Sequence, residues 1–355
     1  MKKLISTVLF AGYLFATGYG QKKIINLPDL PGYVTLKCDF HMHTVFSDGN
    51  VWPTVRIDEA LRDGLDAIAI TDHMEYNPKK DFIPIDHNAA WKVGEVYARE
   101  RNMILVHATE ITRKMPPGHF NALFINDATA IAKDSVMDAI EEAVKQGAFI
   151  QWNHPGWTAQ QPDGIPKLYE IHRRLIANGW IHGIEFFNDA EYYPVVFNMC
   201  REHKLAMMGN SDTHGIISET YNKPEDINRP MTLVFARERS HDSLREALFA
   251  GRTMVWFRNI LAGSEEYAKP LFYQAVAVGK TYYSDKDYTY FEVTNKSDIP
   301  FQLINGIKDS PSELTLNANS VTRIAVSRKV KSPLVYDVKN VMIGEKDVLK
   351  IELRY

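Results

Sequence analysis

Cysteine is scarce in this sequence, with only Cys38 and Cys200 among 355 residues. Two cysteines exclude the disulfide framework that holds many small secreted domains together. Cys38 lies in an apolar, strand-like run and Cys200 in a helix-like one, so we expect both to be small buried apolar side chains. The length of the chain is ample for one large domain and a small one.

A strong excess of charge and long apolar runs are also missing. The formal net charge is −3 and the sequence pI is about 6.5, which predicts no nucleic-acid-binding surface. Beyond residue 20 no run is apolar and long enough for a membrane helix, so we expect no integral membrane segment in the mature chain. No G-x-S-x-G motif occurs, and nothing indicates a Ser–His–Asp triad.

The N-terminus has the composition of a signal peptide. Lys2 and Lys3 precede an apolar run over residues 4–16, and small or turn-prone residues follow up to Gly20. This order is typical of secretory signals, and the run is short for a permanent anchor. We predict a signal peptide over residues 1–20, cleavage near Gly20, and export to the periplasm or the exterior. An uncleaved membrane anchor is the alternative.

Strand-like and helix-like segments alternate between residues 34 and 257. The apolar, β-rich runs cover residues 34–40, 65–71, 103–109, 120–125, 148–152, 181–187, 205–209 and 231–235. The amphipathic stretches cover residues 55–62, 89–101, 135–145, 167–177, 195–203 and 240–250. Such alternation predicts an α/β fold with a largely parallel sheet and crossover helices. Polar residues end strand after strand, which favours closure into a distorted βα barrel.

The pattern changes after Gly263. Apolar runs at residues 271–278, 288–293, 301–304, 320–326, 334–338 and 348–353 are separated by turn signals. We predict strands without intervening helices, forming a small all-β sandwich-like module over residues 264–355 after a catalytic domain over residues 21–263. The last histidine of the chain is His241, so this module supplies no imidazole ligand.

Histidines and carboxylates collect at the predicted strand ends. The first strand ends in Asp39, Phe40, His41, Met42 and His43. Residues two apart point to the same face of a strand, so His41 and His43 can converge on one metal ion. Further candidates flank the other strands: His73, Glu110, His119, His154, Asp212 and His214. The remaining six of the twelve histidines show no such placement, and we interpret them as structural: His87, His107, His172, His182, His203 and His241.

Taken together, these motifs resemble the PHP (polymerase and histidinol phosphatase) superfamily. They are HMHT at residues 41–44, SDG at 47–49, TDH at 71–73, ATE at 108–110, NHP at 153–155 and SDTH at 211–214. The resemblance covers roughly residues 35–257, and the combined pattern is far more specific than any one part. It implies a distorted βα barrel that holds up to three divalent ions, commonly manganese, iron or zinc, and hydrolyses phosphate esters.

The resemblance also implies a ligand set. His41, His43, Glu110 and Asp212 correspond to the ligands of a first ion. Glu110 bridges to a second ion, which also takes His119 and His154, and a third ion is held by Asp48, His73 and His214. Asp48 departs from the pattern of members that place a histidine in the SDG region.

Three such ions would bring six positive charges, of which the three carboxylates return three. A site of this net charge favours an anionic substrate, and a bridging water would be deprotonated near neutral pH to attack phosphorus. We therefore expect an enzyme, a metal-dependent phosphoesterase acting on a small phosphorylated substrate through a metal-bound hydroxide.

Supporting roles are expected for residues beside the ligands. Asp39 and Asp72 would orient imidazole N–H groups, and a turn or cap role is the alternative for Asp72. Arg229, Arg113 and Lys114 are candidate phosphate clamps.

Three features remain open to more than one interpretation. Trp157 could wall the substrate pocket, pack in the core or anchor a loop. A metal-dependent amide or lactone hydrolase is the alternative activity, because a bridging hydroxide attacks carbonyl carbon as well. A binding protein with a degenerate barrel is the alternative class, and the sequence leaves the oligomeric state open.

Overall fold

The computed structural model describes residues 23–224 and 228–355, so the predicted signal peptide lies outside the described residues. Within these two ranges, no helix has both the length and the apolar character needed to cross a membrane. The helices are α1 (Pro53–Arg62), α2 (Ala89–Glu100), α3 (Ala128–Ile131), α4 (Val136–Lys145), α5 (Glu170–Ala177), α6 (Val196–His203), α7 (Ile217–Thr220), α8 (His241–Phe249) and α9 (Glu265–Ala275).

The strands of the N-terminal part are β1 (Val34–Asp39), β2 (Ala67–Ile70), β3 (Ile104–Ile111), β4 (Phe120–Leu123), β5 (Phe149–Trp152), β6 (Gly183–Asn188), β7 (Glu191–Tyr192), β8 (Ala206–Asn210), β9 (Met231–Ala236), β10 (Thr253–Phe257) and β11 (Ile260–Gly263). Each of the eight predicted runs overlaps one of these strands, and each of the six predicted amphipathic stretches overlaps a helix.

The order of the strands explains how the site is assembled. Strands β1, β2 and β3 are parallel neighbours, as are β5, β6 and β8. Strand β4 lies between β3 and β5 and runs antiparallel to both, because a short loop without a crossover helix joins β3 to β4. The prediction of a largely parallel sheet is therefore corrected by an antiparallel β4. As a result, the N-terminal end of β4 lies beside the carboxyl ends of β3 and β5.

The barrel closes where the segment that follows β8 meets the segment that follows β1. The backbone N–H of Asp212 donates to the carbonyl of His41 at 2.8 Å, and that of His43 donates to the carbonyl of Thr213 at 3.0 Å. A Cβ on Gly209 in β8 would lie 3.0 Å from the Cβ of Val255 in β10, so a glycine there allows the close packing that closes the barrel. The predicted distorted barrel is confirmed.

Amphipathic helices cover the outside of the barrel. Helix α4 shows why these segments form: the Ser135 hydroxyl accepts a hydrogen bond from the Asp138 N–H at its start, and Ala139, Ile140 and Ala143 form a fully buried stripe. Burying a side chain the size of Ile140 contributes about 1.5–3 kcal/mol. The two cysteines are free and buried, as expected.

The C-terminal part begins with a helix that the sequence analysis did not predict. We expected a strand over residues 271–278, but α9 runs to Ala275 and only β12 (Val276–Val278) is a strand. Ala268, Leu271, Phe272 and Ala275 are all buried. Their spacing is that of one helical face, and packing of this face outweighs the interruption by Pro270.

The remaining strands form a sandwich, as predicted. One sheet contains β12, β13 (Tyr283–Ser284), β14 (Tyr288–Asn295) and β17 (Ser320–Ser327), and the other contains β15 (Phe301–Ile304), β16 (Glu313–Leu316), β18 (Leu334–Met342) and β19 (Val348–Leu353). Buried residues alternate along β14 and β18, as expected where one sheet face packs on another. Strand β11 pairs in parallel with β18, which joins the second sheet to the barrel sheet.

Candidate metal centre

The structure brings together all nine predicted ligands at one edge of the barrel. His41 and His43 follow β1, His73 follows β2, Glu110 lies in β3 and His154 follows β5. His119 precedes β4 and reaches the same edge because that strand is antiparallel. The others are Asp48, Asp212 and His214. Potential ligand atoms lie within 4.8 Å of one another in four groups: His43–Asp48–His73–His214, His41–His43–Asp212, His41–Glu110–His154 and His73–Glu110–His119.

Glu110 is the centre of the cluster and is completely buried. Its Oε1 lies 2.8 Å from Nδ1 of His119. Its Oε2 lies 2.8 Å from Nδ1 of His73 and 3.5 Å from Nε2 of both His41 and His43. One carboxylate thus faces four imidazoles from three segments of the chain, which is the arrangement of a bridging ligand.

Asp48 forms the more exposed side of the cluster. Its Oδ1 lies 3.2 Å from Nε2 of His214, and its Oδ2 lies 3.6 Å from Nε2 of His73. The His43 and His214 rings stack with centroids 4.1 Å apart. The aspartate that departs from the family pattern is therefore placed where it can act as a ligand.

Several atoms at the heart of the cluster are buried without a hydrogen-bond partner. They are Nε2 of His41, Nδ1 of His43, Oε2 of Glu110 and Nδ1 of His119. The short distances to Glu110 lack the N–H···O geometry of a hydrogen bond; Nδ1 of His73, for example, is paired with the Thr112 hydroxyl at 2.6 Å. Because a buried polar atom left unpaired costs about 1–3 kcal/mol, this set of imidazole and carboxylate donors fits several divalent cations.

A solved structure with this architecture comes from Bacteroides vulgatus. It is a two-domain protein containing a predicted PHP-like metal-dependent phosphoesterase, and it is 39% identical to this chain with a TM-score of 0.90. The match covers 94% of this chain and 99% of that one. The chain belongs to the PHP-like family.

Two further matches each cover part of the chain. An uncharacterized protein of Methanocaldococcus jannaschii is 26% identical over 210 residues, covering 54% of this chain and 84% of that protein. A family model described as an Ig-like domain matches residues 276–354, which lie in the C-terminal sandwich. The PHP-like fold and the ligand cluster together are those of a metal-dependent hydrolase.

The PHP-like cluster has unusual electrostatics in the absence of cations. Burial alone would lower the pKa of His73, but the carboxylates of Glu110 and Asp48 raise it to about 10. Burial and the neighbouring imidazoles of His73 and His214 lower the pKa of His43 to about 3, although Asp212 acts in the opposite direction. Burial opposes ionisation of Glu110, yet the imidazoles around it hold its pKa well below the ordinary range. In the absence of cations, Glu110 is therefore held in its ionised form, and His73 holds a proton that a metal ion must displace.

The predicted role of Asp39 is wrong in its detail. Its carboxylate accepts from the Ser211 hydroxyl at 2.6 Å and the Ser211 backbone N–H at 3.1 Å, and it is paired with Arg229. It therefore fixes the segment that carries Asp212 through Ser211, and does not orient an imidazole.

Asp72 has the alternative role, that of a turn residue. Its carboxylate accepts from the Thr44 N–H at 2.7 Å, the Thr44 hydroxyl at 2.5 Å and the Ser47 hydroxyl at 2.6 Å. These bonds hold the loop that carries Asp48. The SDG serine is thus used to shape the loop.

The predicted phosphate clamps do not line the site. The Arg229 side chain is 1% exposed and is paired with Asp39 and Asp63. Arg113 is bound to Glu75 and to the carbonyls of Thr112 and Lys133. Lys114 is exposed and, like both arginines, is not among the residues around the cavity.

A cavity of about 380 Å³ opens onto the cluster. Trp157 lies in its wall and is 40% exposed, so the pocket-wall interpretation is supported over a buried anchor. The other lining residues are Asp48, His73, Tyr76, Thr112, His119, His154, Asn188, Asp189, Glu191, Asp212 and His214. No lysine or arginine is among them.

Sequence reasoning missed three buried charged residues around the PHP-like cluster. Arg56 donates to the carbonyls of His43, Thr213 and Gly215 and is paired with Glu59. The third is Glu185 in β6, which is completely buried. A glutamate within the apolar run 181–187 was the available signal, since a charged residue inside a strand with no polar face requires buried partners.

Proposed function

We propose that this PHP-like chain hydrolyses small phosphate mono- or diesters at a centre of two or three divalent ions. The observation that supports this best is the set of buried, unpartnered imidazole and carboxylate atoms beside an open cavity of about 380 Å³. That volume suits a small substrate.

The proposed ligand sets are those that the family resemblance implies, and their nine residues are the members of the four groups of convergent atoms. His41, His43, Glu110 and Asp212 would hold one ion. Glu110, His119 and His154 would hold a second, and Asp48, His73 and His214 a third. The mixed nitrogen and oxygen donors favour manganese, iron or zinc over calcium or magnesium. Elemental analysis of protein purified from its own host tests this choice.

Bound cations would favour an anionic reacting group. They would supply Lewis-acid charge to phosphate oxygens and would lower the pKa of a coordinated water. Because the cavity lining contains no lysine or arginine, the protein's own contribution is to hold the ligands in place. Trp157 and Tyr76 are aromatic residues of the cavity wall.

A substrate panel separates this proposal from the alternative of an amide or lactone hydrolase. With manganese added, we expect turnover of p-nitrophenyl phosphate, bis-p-nitrophenyl phosphate or both, and none of the corresponding amides and lactones. Turnover of amides or lactones with both phosphate esters intact would contradict it.

The same assay tests whether the barrel is degenerate. His41→Ala and Asp212→Ala should abolish turnover, and circular dichroism should show that both variants keep their fold. His87→Ala is the matched control, since this histidine lies outside all four ligand groups. Full activity in the His41 and Asp212 variants would rule out the assignment.

We also propose that the protein acts outside the cytoplasm, after removal of residues 1–20. The support is the order of basic, apolar and small residues in that segment. Mass spectrometry of the exported protein should show a chain that begins near Gln21, and an intact N-terminus would contradict cleavage.

A further inference from the structure

Glu185 is not one of the nine predicted ligands, yet its carboxylate accepts five hydrogen bonds beside the cluster. Its Oε1 accepts from Nδ1 of His41 at 2.8 Å, from the Gln151 amide at 3.0 Å and from the Asn210 amide at 2.9 Å. Its Oε2 accepts from the His154 backbone N–H at 2.6 Å and from the Asn188 amide at 2.9 Å. Five donors from four segments of the chain therefore converge on one completely buried carboxylate.

The first consequence concerns the tautomer of His41. An ionised carboxylate only accepts hydrogen bonds, so Nδ1 of His41 must carry the proton. In the neutral imidazole of His41, Nε2 then carries the lone pair that a metal ion would bind. This atom is buried, has no hydrogen-bond partner, and lies 3.1 Å from Oδ1 of Asp212 and 3.5 Å from Oε2 of Glu110. The contact with Glu185 thus aims the unpaired nitrogen into the cluster.

The second consequence concerns two other predicted ligands. His154 has a φ of 26°, in the left-handed region that a residue with a side chain rarely adopts. The hydrogen bond from its N–H to Glu185 helps to hold this backbone. Asn188 donates both to Glu185 and to Oδ2 of Asp212, the latter at 3.2 Å. One carboxylate is thereby connected to His41, His154 and Asp212.

We propose that Glu185 is the positioning residue of the metal centre, fixing ligand atoms from the strands β1, β5 and β8 for the ions that they share. This inference rests on the proposed metal dependence. It does not extend to the group of Asp48, His73 and His214, because Glu185 contacts none of these residues. Carboxylates that orient a ligating imidazole typically change metal affinity by about 10- to 100-fold.

The test compares metal binding by full-length wild type and Glu185→Gln. The glutamine amide is almost isosteric with the carboxylate. Its NH₂ group, however, replaces one carboxylate oxygen and faces the donors from which that oxygen accepts hydrogen bonds. After dialysis against graded concentrations of Mn²⁺ or Zn²⁺, we expect one or two ions to bind about 10- to 100-fold more weakly, while the ion of Asp48, His73 and His214 is retained. Gln151→Met is the matched control, since it removes a donor to the same carboxylate without contacting a ligand, and it should bind all ions nearly as wild type.

A second readout is independent of metal loading. In metal-free protein with ¹⁵N-labelled histidine, the Nδ1–H resonance of His41, assigned by its loss in His41→Ala, should shift or vanish in Glu185→Gln and persist in Gln151→Met. If Glu185→Gln does not fold, Glu185→Asp is expected to show the same selective loss, with a smaller magnitude.

The outcomes distinguish this inference from the proposed function. A wild type that binds no ions contradicts the proposed function. A wild type that binds ions, with unchanged affinity in both Glu185 variants, overturns the inference about Glu185. An equal loss of all ions, together with an unchanged His41 resonance, also overturns it, because that pattern indicates a general effect on folding.

Discussion

At the scale of single residues, the site is a set of buried imidazoles and carboxylates, and the charge of each group depends on its neighbours. The sequence sufficed to name all nine clustered residues, because most of them flank strand ends and the motifs that carry them resemble those of a known family. It did not suffice for their supports. Arg229 and Asp39 are 190 positions apart, and neither spacing nor composition predicts that their charges are paired.

Proton release should accompany metal binding. The pKa of His73 is raised to about 10 by Glu110 and Asp48, so this imidazole is charged at pH 7 in the metal-free protein and must lose its proton to become a ligand. Metal affinity should therefore rise with pH between 6 and 9, by up to about tenfold per pH unit for each proton displaced.

Calorimetric titrations in buffers of different ionisation enthalpy measure these protons. His107→Gln is the control, because His107 lies outside the cluster and burial lowers its pKa to about 4; it should release as many protons as wild type. An affinity that does not change with pH would contradict the described charge balance.

Arg229 should matter for stability and not for substrate binding. Replacing it by Met leaves the buried Asp39 without its cation, and breaking a buried pair in this way costs about 3–5 kcal/mol. We expect Arg229→Met to lower the free energy of unfolding by this amount in urea titrations, with KM for p-nitrophenyl phosphate unchanged.

Lys114→Met is the comparison for Arg229→Met, since Lys114 is exposed, and it should change neither quantity. A raised KM with unaltered stability in the Arg229 variant would restore the phosphate-clamp interpretation.

At the scale of elements, loops decide which residues meet. The alternation of strands and helices was predictable from periodicity. The direction of β4 was not predicted, although the sequence shows no helix-like stretch between residues 109 and 120 that could form a crossover. Helix α9 was missed for another reason: Pro270 obscured a buried face formed by Ala268, Leu271, Phe272 and Ala275.

The loop with the SDG motif should tolerate no side chain at Gly49. A Cβ there would lie 2.4 Å from the carbonyl carbon of His43 and 2.6 Å from the backbone nitrogen of Thr44. Gly49→Ala must therefore displace the loop and with it Asp48. We expect a loss of one bound ion, that of Asp48, His73 and His214, measured by elemental analysis.

Gly215→Ala serves as the control for Gly49→Ala, since a Cβ at that position meets no atom within 4 Å, and it should keep the full complement of ions. Undiminished metal content in Gly49→Ala would show that Asp48 is not held by this close approach.

At the scale of the whole molecule, the barrel and the sandwich share one sheet and one core. Strand β11 pairs with β18, and a single cluster of buried residues contains Leu233 and Trp256 of the barrel together with Phe291 and Ile351 of the sandwich. The sequence predicted the change of architecture after residue 263. A change in composition does not reveal, however, that the sheet and the core continue from the barrel into the sandwich.

The shared core predicts cooperative unfolding. Scanning calorimetry of the metal-free protein should show one transition, with equal calorimetric and van't Hoff enthalpies. Leu261→Ala in β11 should lower this single Tm, since the buried Leu261 pairs with Val341 of β18. Two separate transitions, of which only one shifts, would contradict a common core.

The central claim is that the cluster is a multinuclear metal centre for phosphate ester hydrolysis. Its most direct test is a titration of metal-free protein with Mn²⁺, following bound metal and turnover of p-nitrophenyl and bis-p-nitrophenyl phosphate in the same samples. We predict that turnover of at least one ester appears only as two or three ions bind, and that Asp212→Ala binds fewer ions and remains inactive. Equal turnover in metal-stripped protein, or full metal binding without hydrolysis of either ester, would contradict the account.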